Sequence, residues 1–211
     1  MQIAMVVYDR FTGLDVVGPY EILSRLPDAR LTFVAERPGP VRTDTGFLAV
    51  LADKTLEEVP APDLLVVSGG PGTLAQLENP ALLDWLRAAD AVTTWTTSVC
   101  SGSLLLAAAG LLRGRRATSH WAALELLGRL GAEPTGERVV TDGKYVTAAG
   151  VSSGIDMALT LTGRIAGDEH ARAVQLLTEY DPQPPYDAGS PRKAPAHLVE
   201  ELRAGGRFSL T

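Results

Sequence analysis

Cys100 is the only cysteine among 211 residues, and it stands between two apolar runs of different character. The β-branched and aromatic run Val92 to Thr97 predicts a buried strand, and the Leu/Ala run Leu104 to Ala109 predicts the start of a buried helix. Small residues link them in a tight turn with the thiol at its apex. Such a strand–elbow–helix aims a side chain out of a sheet and sets it beside a helix start. Free N–H groups and the helix dipole favour a thiolate there. The segment therefore reads as a nucleophile elbow. The competing reading is a buried structural thiol that serves as a small core hydrophobe.

A thiol nucleophile needs a partner that carries its proton. Asp15 follows the first apolar run after a short loop, the right place for a pocket carboxyl. A carboxylate beside a thiolate is a like-charge pair, so one member holds a proton, and Asp15 becomes a candidate general acid and base. Its alternative role is a cap or loop acid. Glu21, on the next helix, is the rival acid. His120 would give a Cys–His pair suited to amide hydrolysis, but the residue after the cysteine is Ser101, and only folding can bring His120 to the thiol. His120 reads otherwise as a polar residue at a strand end. N–H groups of Ser101 and Gly102, joined by one from the Gly70-Pro71-Gly72 loop, would make an anion or oxyanion site. The glycines read otherwise as a tight βα turn. Ser68 to Gly72 is followed by no Gly-Lys-Ser/Thr and is not a full GxGxxG, which argues against nucleotide binding. His170 and His197 have no partners at metal spacing, so no metal site is expected.

Positioning these residues falls to alternating elements. Apolar runs at Ile3 to Tyr8, Leu31 to Ala35, Leu64 to Val67, Val92 to Thr97 and Arg116 to Ser119 predict strands. Hairpins are expected around Asp44-Thr45-Gly46 and around Asp142-Gly143. Helices are expected after Gly18-Pro19, with Tyr20, Ile22, Leu23 and Leu26 on one face, and from Asn79-Pro80, Trp121 and Ser152-Ser153 onward. A further helix should cover about Glu169 to Thr178. The Pro- and Gly-rich stretch Asp181 to Pro195 opens an irregular arm and tail over residues 181–211, all within one domain, 1–211. Strands alternating with helices imply an α/β fold: a flavodoxin-like, doubly wound, mostly parallel sheet flanked by helices. Sites in such sheets lie beyond the carboxyl ends of the strands, where Asp15, Gly69-Gly70, Cys100 and His120 are expected to converge.

A net charge of −6 argues against nucleic acid as the main partner. The basic run Arg113-Gly114-Arg115-Arg116 reads as a solvated turn. One cysteine forms no internal disulfide, which fits a reducing cytosol. The first strand lacks a basic leader, and Leu104 to Leu112, interrupted by Gly110, is too short to span a bilayer. A soluble cytoplasmic protein, without a nucleic-acid or membrane partner, is expected.

Five segments occur in order: Asp15-Val16-Val17-Gly18-Pro19, Ser68 to Gly72, Thr97 to Ser103, Arg116 to Trp121 and Gly150 to Asp156. Together they resemble the ThiJ/PfpI superfamily, the class I glutamine amidotransferase-like proteins. The resemblance runs from the first strand through Tyr180 and the arm at Pro184 to Pro191. The cysteine elbow marks the superfamily. Leu14-Asp15 before Gly18-Pro19, joined to that arm, points to its isonitrile hydratase branch. The resemblance implies Cys100 as nucleophile, Asp15 as its acidic partner and a hydroxyl residue, Ser101, directly after the cysteine. Hydratases carry threonine there, so Ser101 keeps the hydroxyl and drops a methyl beside the sulfur. The protease-like branch carries histidine at that place. Implied further are hydration of isonitriles to N-substituted formamides through a cysteine thioimidate, no cofactor, and a homodimer with the pocket near the subunit interface. The rivals are a glyoxalase or deglycase acting on reactive carbonyls and a non-catalytic redox sensor. The ligand-binding half of a transcription regulator is the weakest reading, since Thr211 follows the arm too closely for a helix-turn-helix pair.

Overall fold

Four-residue apolar runs bounded by turn residues become central strands, and amphipathic stretches cross between them as helices. The structure is a computed structural model and describes residues 1–205. From the N-terminus come β1 (Gln2–Val6), α1 (Gly13–Leu23), β2 (Arg30–Ala35), β3 (Gly39–Arg42), β4 (Ala49–Ala52), β5 (Lys54–Thr55) and β6 (Leu64–Val67). Next are α2 (Thr73–Gln76), α3 (Pro80–Asp90), β7 (Trp95–Val99), α4 (Gly102–Ala108), β8 (Arg116–Ala117), a 3-10 turn (Trp121–Ala123) and α5 (Leu124–Arg129). The remainder is β9 (Glu133–Pro134), β10 (Val139–Asp142), β11 (Tyr145–Ala148), α6 (Ser153–Ala166), α7 (Asp168–Leu177) and α8 (Ala196–Ala204).

Seven strands form the main sheet in the order β10-β11-β7-β6-β1-β2-β5. Every neighbouring pair is parallel except the β10–β11 hairpin. This is the doubly wound, mostly parallel sheet flanked by helices that the alternation predicts. β1 and β6 lie at its centre, and Ile3–Val6 and Leu64–Val67 are buried on both faces. Helix α4, with Leu104, Leu105 and Leu106 fully buried, packs on β6 and β7 and carries α3 and α5. Helix α6 packs on β7 and β11 and carries α1 and α7. The chain order reverses direction between β1 and β6, so a crevice opens at their carboxyl ends. Among the described residues no helix is long and apolar enough to cross a membrane.

Four expectations need correction. Helix α1 begins at Gly13 and holds Pro19 inside it, so Asp15 sits in the first helical turn and not in a loop. Proline lacks an N–H and normally opens a helix, which hides the earlier start. The strand before the elbow runs Trp95–Val99, because Val92 is exposed in the turn after α3. Only Arg116–Ala117 of the Arg116 to Ser119 run is a strand, and it pairs with β9 outside the main sheet. The 181–211 region is not irregular throughout: α8 forms over Ala196–Ala204, capped by the extended Pro195, while 206–211 lie outside the described residues. Helix α8 lies by Trp121, whose ring is 5.6 Å from the Arg203 guanidinium.

Candidate active site

β7 delivers the chain to Cys100, whose φ of +57° is the left-handed conformation of a nucleophile elbow. Four neighbours hold this conformation. The Cys100 N–H donates to the carbonyls of Ala148 (3.1 Å) and Ala149 (3.0 Å) at the end of β11. Its carbonyl accepts from the hydroxyls of Ser119 (3.0 Å) and Ser103 (3.3 Å). The thiol is only 2% exposed. Asp15, in the first turn of α1, is fully buried, and its Oδ2 accepts from the Gly69 N–H at 3.0 Å. Gly69 has no room for a side chain: a Cβ would lie 2.5 Å from the Ser101 nitrogen and 2.9 Å from Asp15 Oδ2. The end of β6 thus threads between α1 and the elbow, and glycine is what lets the carboxyl and the thiol share one pocket.

Burial pushes the thiol well up from its ordinary value, and the charge of Asp15 pushes it further. The Ser101 amide and hydroxyl favour the thiolate, but they rank behind those two effects. Burial and the Asp15 charge thus both work against the thiolate. The helix start favours a thiolate, as its place beside the elbow implies, and removal from water opposes it.

A second layer of hydroxyls lies under the elbow. Ser101 Oγ accepts from the Gly70 N–H at 2.9 Å and lies 2.8 Å from Thr73 Oγ1. Thr73 Oγ1 is 2.8 Å from the Tyr8 hydroxyl, which donates to the Ser68 carbonyl at 2.7 Å. All of these side chains are buried, and burial raises the Tyr8 phenol so far that it keeps its proton.

Comparison with known proteins fits this geometry. The DJ-1/PfpI family model matches residues 1–163. The chain belongs to the DJ-1/PfpI family. An isonitrile hydratase from Pseudomonas putida is 44% identical over 210 residues, which covers 100% of this chain and 92% of that protein. Among solved structures of the DJ-1/PfpI type, a ThiJ/PfpI family protein from Pseudomonas syringae is 41% identical with a TM-score of 0.94, covering 98% of this chain and 87% of that one. A DJ-1 superfamily protein from Salmonella typhimurium is 26% identical with a TM-score of 0.76, covering 86% of this chain and 99% of that one.

Seen as a DJ-1/PfpI site, the sequence-derived residues separate into groups. Cys100, Asp15 and Ser101 come together. Gly70, at φ +141°, directs its N–H to Ser101 Oγ, which corrects the expectation that it faces an oxyanion. The Ser101 amide is the backbone donor that acts on the sulfur. Gly102 is packed so closely under the Val67 carbonyl that its part is to let α4 start against β6. His120 flanks the elbow: its Nδ1 accepts from the Ala122 N–H at 3.3 Å, its ring lies 5.5 Å from that of Trp121, and a Cβ on Gly150 would lie 2.6 Å from its Cδ2. Glu21 is exposed and paired with Arg25 on α1. Sequence reasoning missed Tyr8, Thr73 and Ser119. Each is an isolated hydroxyl at the end of a strand or loop, and no spacing rule distinguishes it from the many others.

Proposed function

We propose that this protein hydrates isonitriles to N-substituted formamides, with Cys100 as the nucleophile and Asp15 as the proton carrier. The observation that carries the reading is the buried Asp15–Cys100 pair with a hydroxyl residue at 101. The 44% identity to an isonitrile hydratase supports it. An isonitrile carbon is attacked by sulfur and then has to be protonated, so a base that takes the thiol proton and returns it nearby suits the substrate.

Asp15 takes the Cys100 proton as the sulfur bonds to the terminal carbon of R–NC, and then delivers it to that same carbon. The product is a thioimidate, Cys–S–CH=N–R. Water then adds across the C=N bond. Its oxygen bonds to carbon, and one of its protons reaches nitrogen by way of Asp15. Finally the C–S bond breaks, the sulfur leaves with the electron pair, and the hydroxyl proton returns to it through Asp15. The N-substituted formamide departs and the thiol is restored.

A homodimer is part of this proposal. Leu14, Val17 and Tyr20 of α1 are each about two-fifths exposed, and Leu48 and Phe47 of the β3–β4 hairpin lie out in solvent nearby. A Cβ on Gly13 would lie 3.4 Å from Leu48 Cδ2, so helix and hairpin form one apolar face beside Asp15. We also take residues 1–211 as one domain, since a continuous hydrophobic cluster runs from Ile3 to Val174. An enzyme whose single thiol must stay reduced suits the cytosol.

The test is an assay of the purified protein with an alkyl or aryl isonitrile and, separately, with methylglyoxal. Formamide formation that is lost in Cys100→Ala supports the hydratase. Turnover of methylglyoxal alone replaces it with a carbonyl-directed activity, and a stably oxidised Cys100 with no turnover of either replaces it with a sensor.

A further inference from the structure

A trans peptide points its C=O and its N–H in opposite directions, so a partner that pins one end aims the other. The peptide between Cys100 and Ser101 is trans, and it is pinned at its carbonyl end. Two hydroxyls reach that oxygen from different parts of the chain. Ser103 Oγ comes from the first turn of α4 at 3.3 Å, and Ser119 Oγ comes from the segment after β8 at 3.0 Å. Both serines are buried, so the two bonds are sheltered from bulk water. The other end of the same peptide is the Ser101 N–H, the backbone donor that acts on the sulfur. Gly69 lies against it: a Cβ there would come within 2.5 Å of the Ser101 nitrogen. Cys100 stands at φ +57°, where an L-residue is strained, so the turn relies on its partners to hold this peptide.

We propose that Ser119 is a positioning residue: with Ser103 it clamps the carbonyl end of the Cys100–Ser101 peptide, and so keeps the N–H end aimed at the sulfur when the sulfur carries charge. A hydrogen bond to a charged acceptor is stronger than a neutral one, but it weakens steeply as the N–H swings off line. Donation into the carbonyl also polarises the amide and makes its N–H a better donor. Ser103 is only three residues along the chain and moves with the elbow. Ser119 is 19 residues away and ties the peptide to a separate segment, which is why it fixes the direction. The inference rests on Cys100 as the nucleophile and not on the identity of the substrate.

The chain holds a single cysteine, so alkylation by iodoacetamide, followed by mass, reads Cys100 alone. The experiment is the alkylation rate against pH for the whole protein and its variants. The titratable groups around the sulfur are Asp15 from α1 and Tyr8 from the end of β1, with His120 beside the elbow, and all three are kept in every variant. Ser119→Ala is expected to raise the midpoint by about one pH unit, a roughly tenfold loss of thiolate below the midpoint. Ser119→Thr, which keeps the hydroxyl, restores the wild-type profile. Ser103→Ala, which removes the longer bond and lies on a different element from His120, moves the midpoint in the same direction by less. An unmoved midpoint in either alanine variant overturns the proposal, even where the melting temperature falls, because a packing role alone would lower stability without touching the sulfur. An equal shift in Ser119→Thr overturns it as well. If Ser119→Ala does not fold, Ser103→Ala decides. The readout needs no isonitrile, so failure of the clamp and failure of the hydratase reading are told apart.

Discussion

We assign Cys100 as the nucleophile; burial and Asp15 raise its thiol, and Asp15 is the base we assign to take its proton at attack. Asp15→Asn keeps the volume and the acceptor for the Gly69 N–H but cannot carry the proton. We expect turnover of an isonitrile to fall about 10²-fold or more with the far-UV circular dichroism unchanged. Wild-type turnover in that variant would remove Asp15 from the mechanism. The same pair sets a stability profile. Burial and Asp15 hold the folded-state thiol above the value of about 8.5 found in an unfolded chain. Between those two values the folded state keeps a proton that the unfolded state has released, so the unfolding free energy falls as pH rises. This contribution is whole below about pH 8.5 and is lost progressively above it. Urea melts over about pH 7 to 10 should show a shallower alkaline decline for Cys100→Ala than for the wild type.

Among the elements, α3 is joined to the sheet by one buried acid. Asp90, at the end of α3, accepts from Thr96 of β7 (2.6 Å) and Tyr145 of β11 (3.0 Å), and pairs with Lys144 at 3.2 Å. Burial and the bond to Asp90 push the Tyr145 phenol up to about 12. Asp90→Ala leaves the two hydroxyls without their acceptor, and denaturant unfolding should show a loss of at least about 2 kcal/mol. Sequence patterning located such elements well where local chemistry decides them. Leu64–Val67 is a strand over the residues its apolar run marks, and Asn79 caps α3 ahead of Pro80 as the dipeptide predicts. It failed where packing overrides a local signal. Pro19 stays inside α1, and Gly154 of α6, close against Pro19 and Val99, lets the two helices approach. In the site, Cys100 and Asp15 were legible because a lone thiol at a turn and an acid after a first strand are rare. Tyr8, Thr73 and Ser119 were not, since their value comes from meeting across 65, 28 and 19 positions of chain.

At the scale of the whole molecule, the apolar face formed by α1 and the β3–β4 hairpin is the one we propose as the dimer surface. Val17→Glu places a charge on that face without touching Asp15. We expect sedimentation velocity to report a dimer for the wild type and a monomer for the variant. A monomeric wild type would leave the face without the partner we assign.

The left-handed turn at Cys100 reaches beyond catalysis. In most folded positions alanine is more stabilising than glycine, but a φ of +57° reverses that order, because only glycine enters the region without steric cost. Position 100 therefore carries cysteine against that residue's own conformational preference. In lineages where the thiol is no longer needed, glycine is the substitution that drift should favour there. A glycine at this turn would mark a retired enzyme that still keeps the fold.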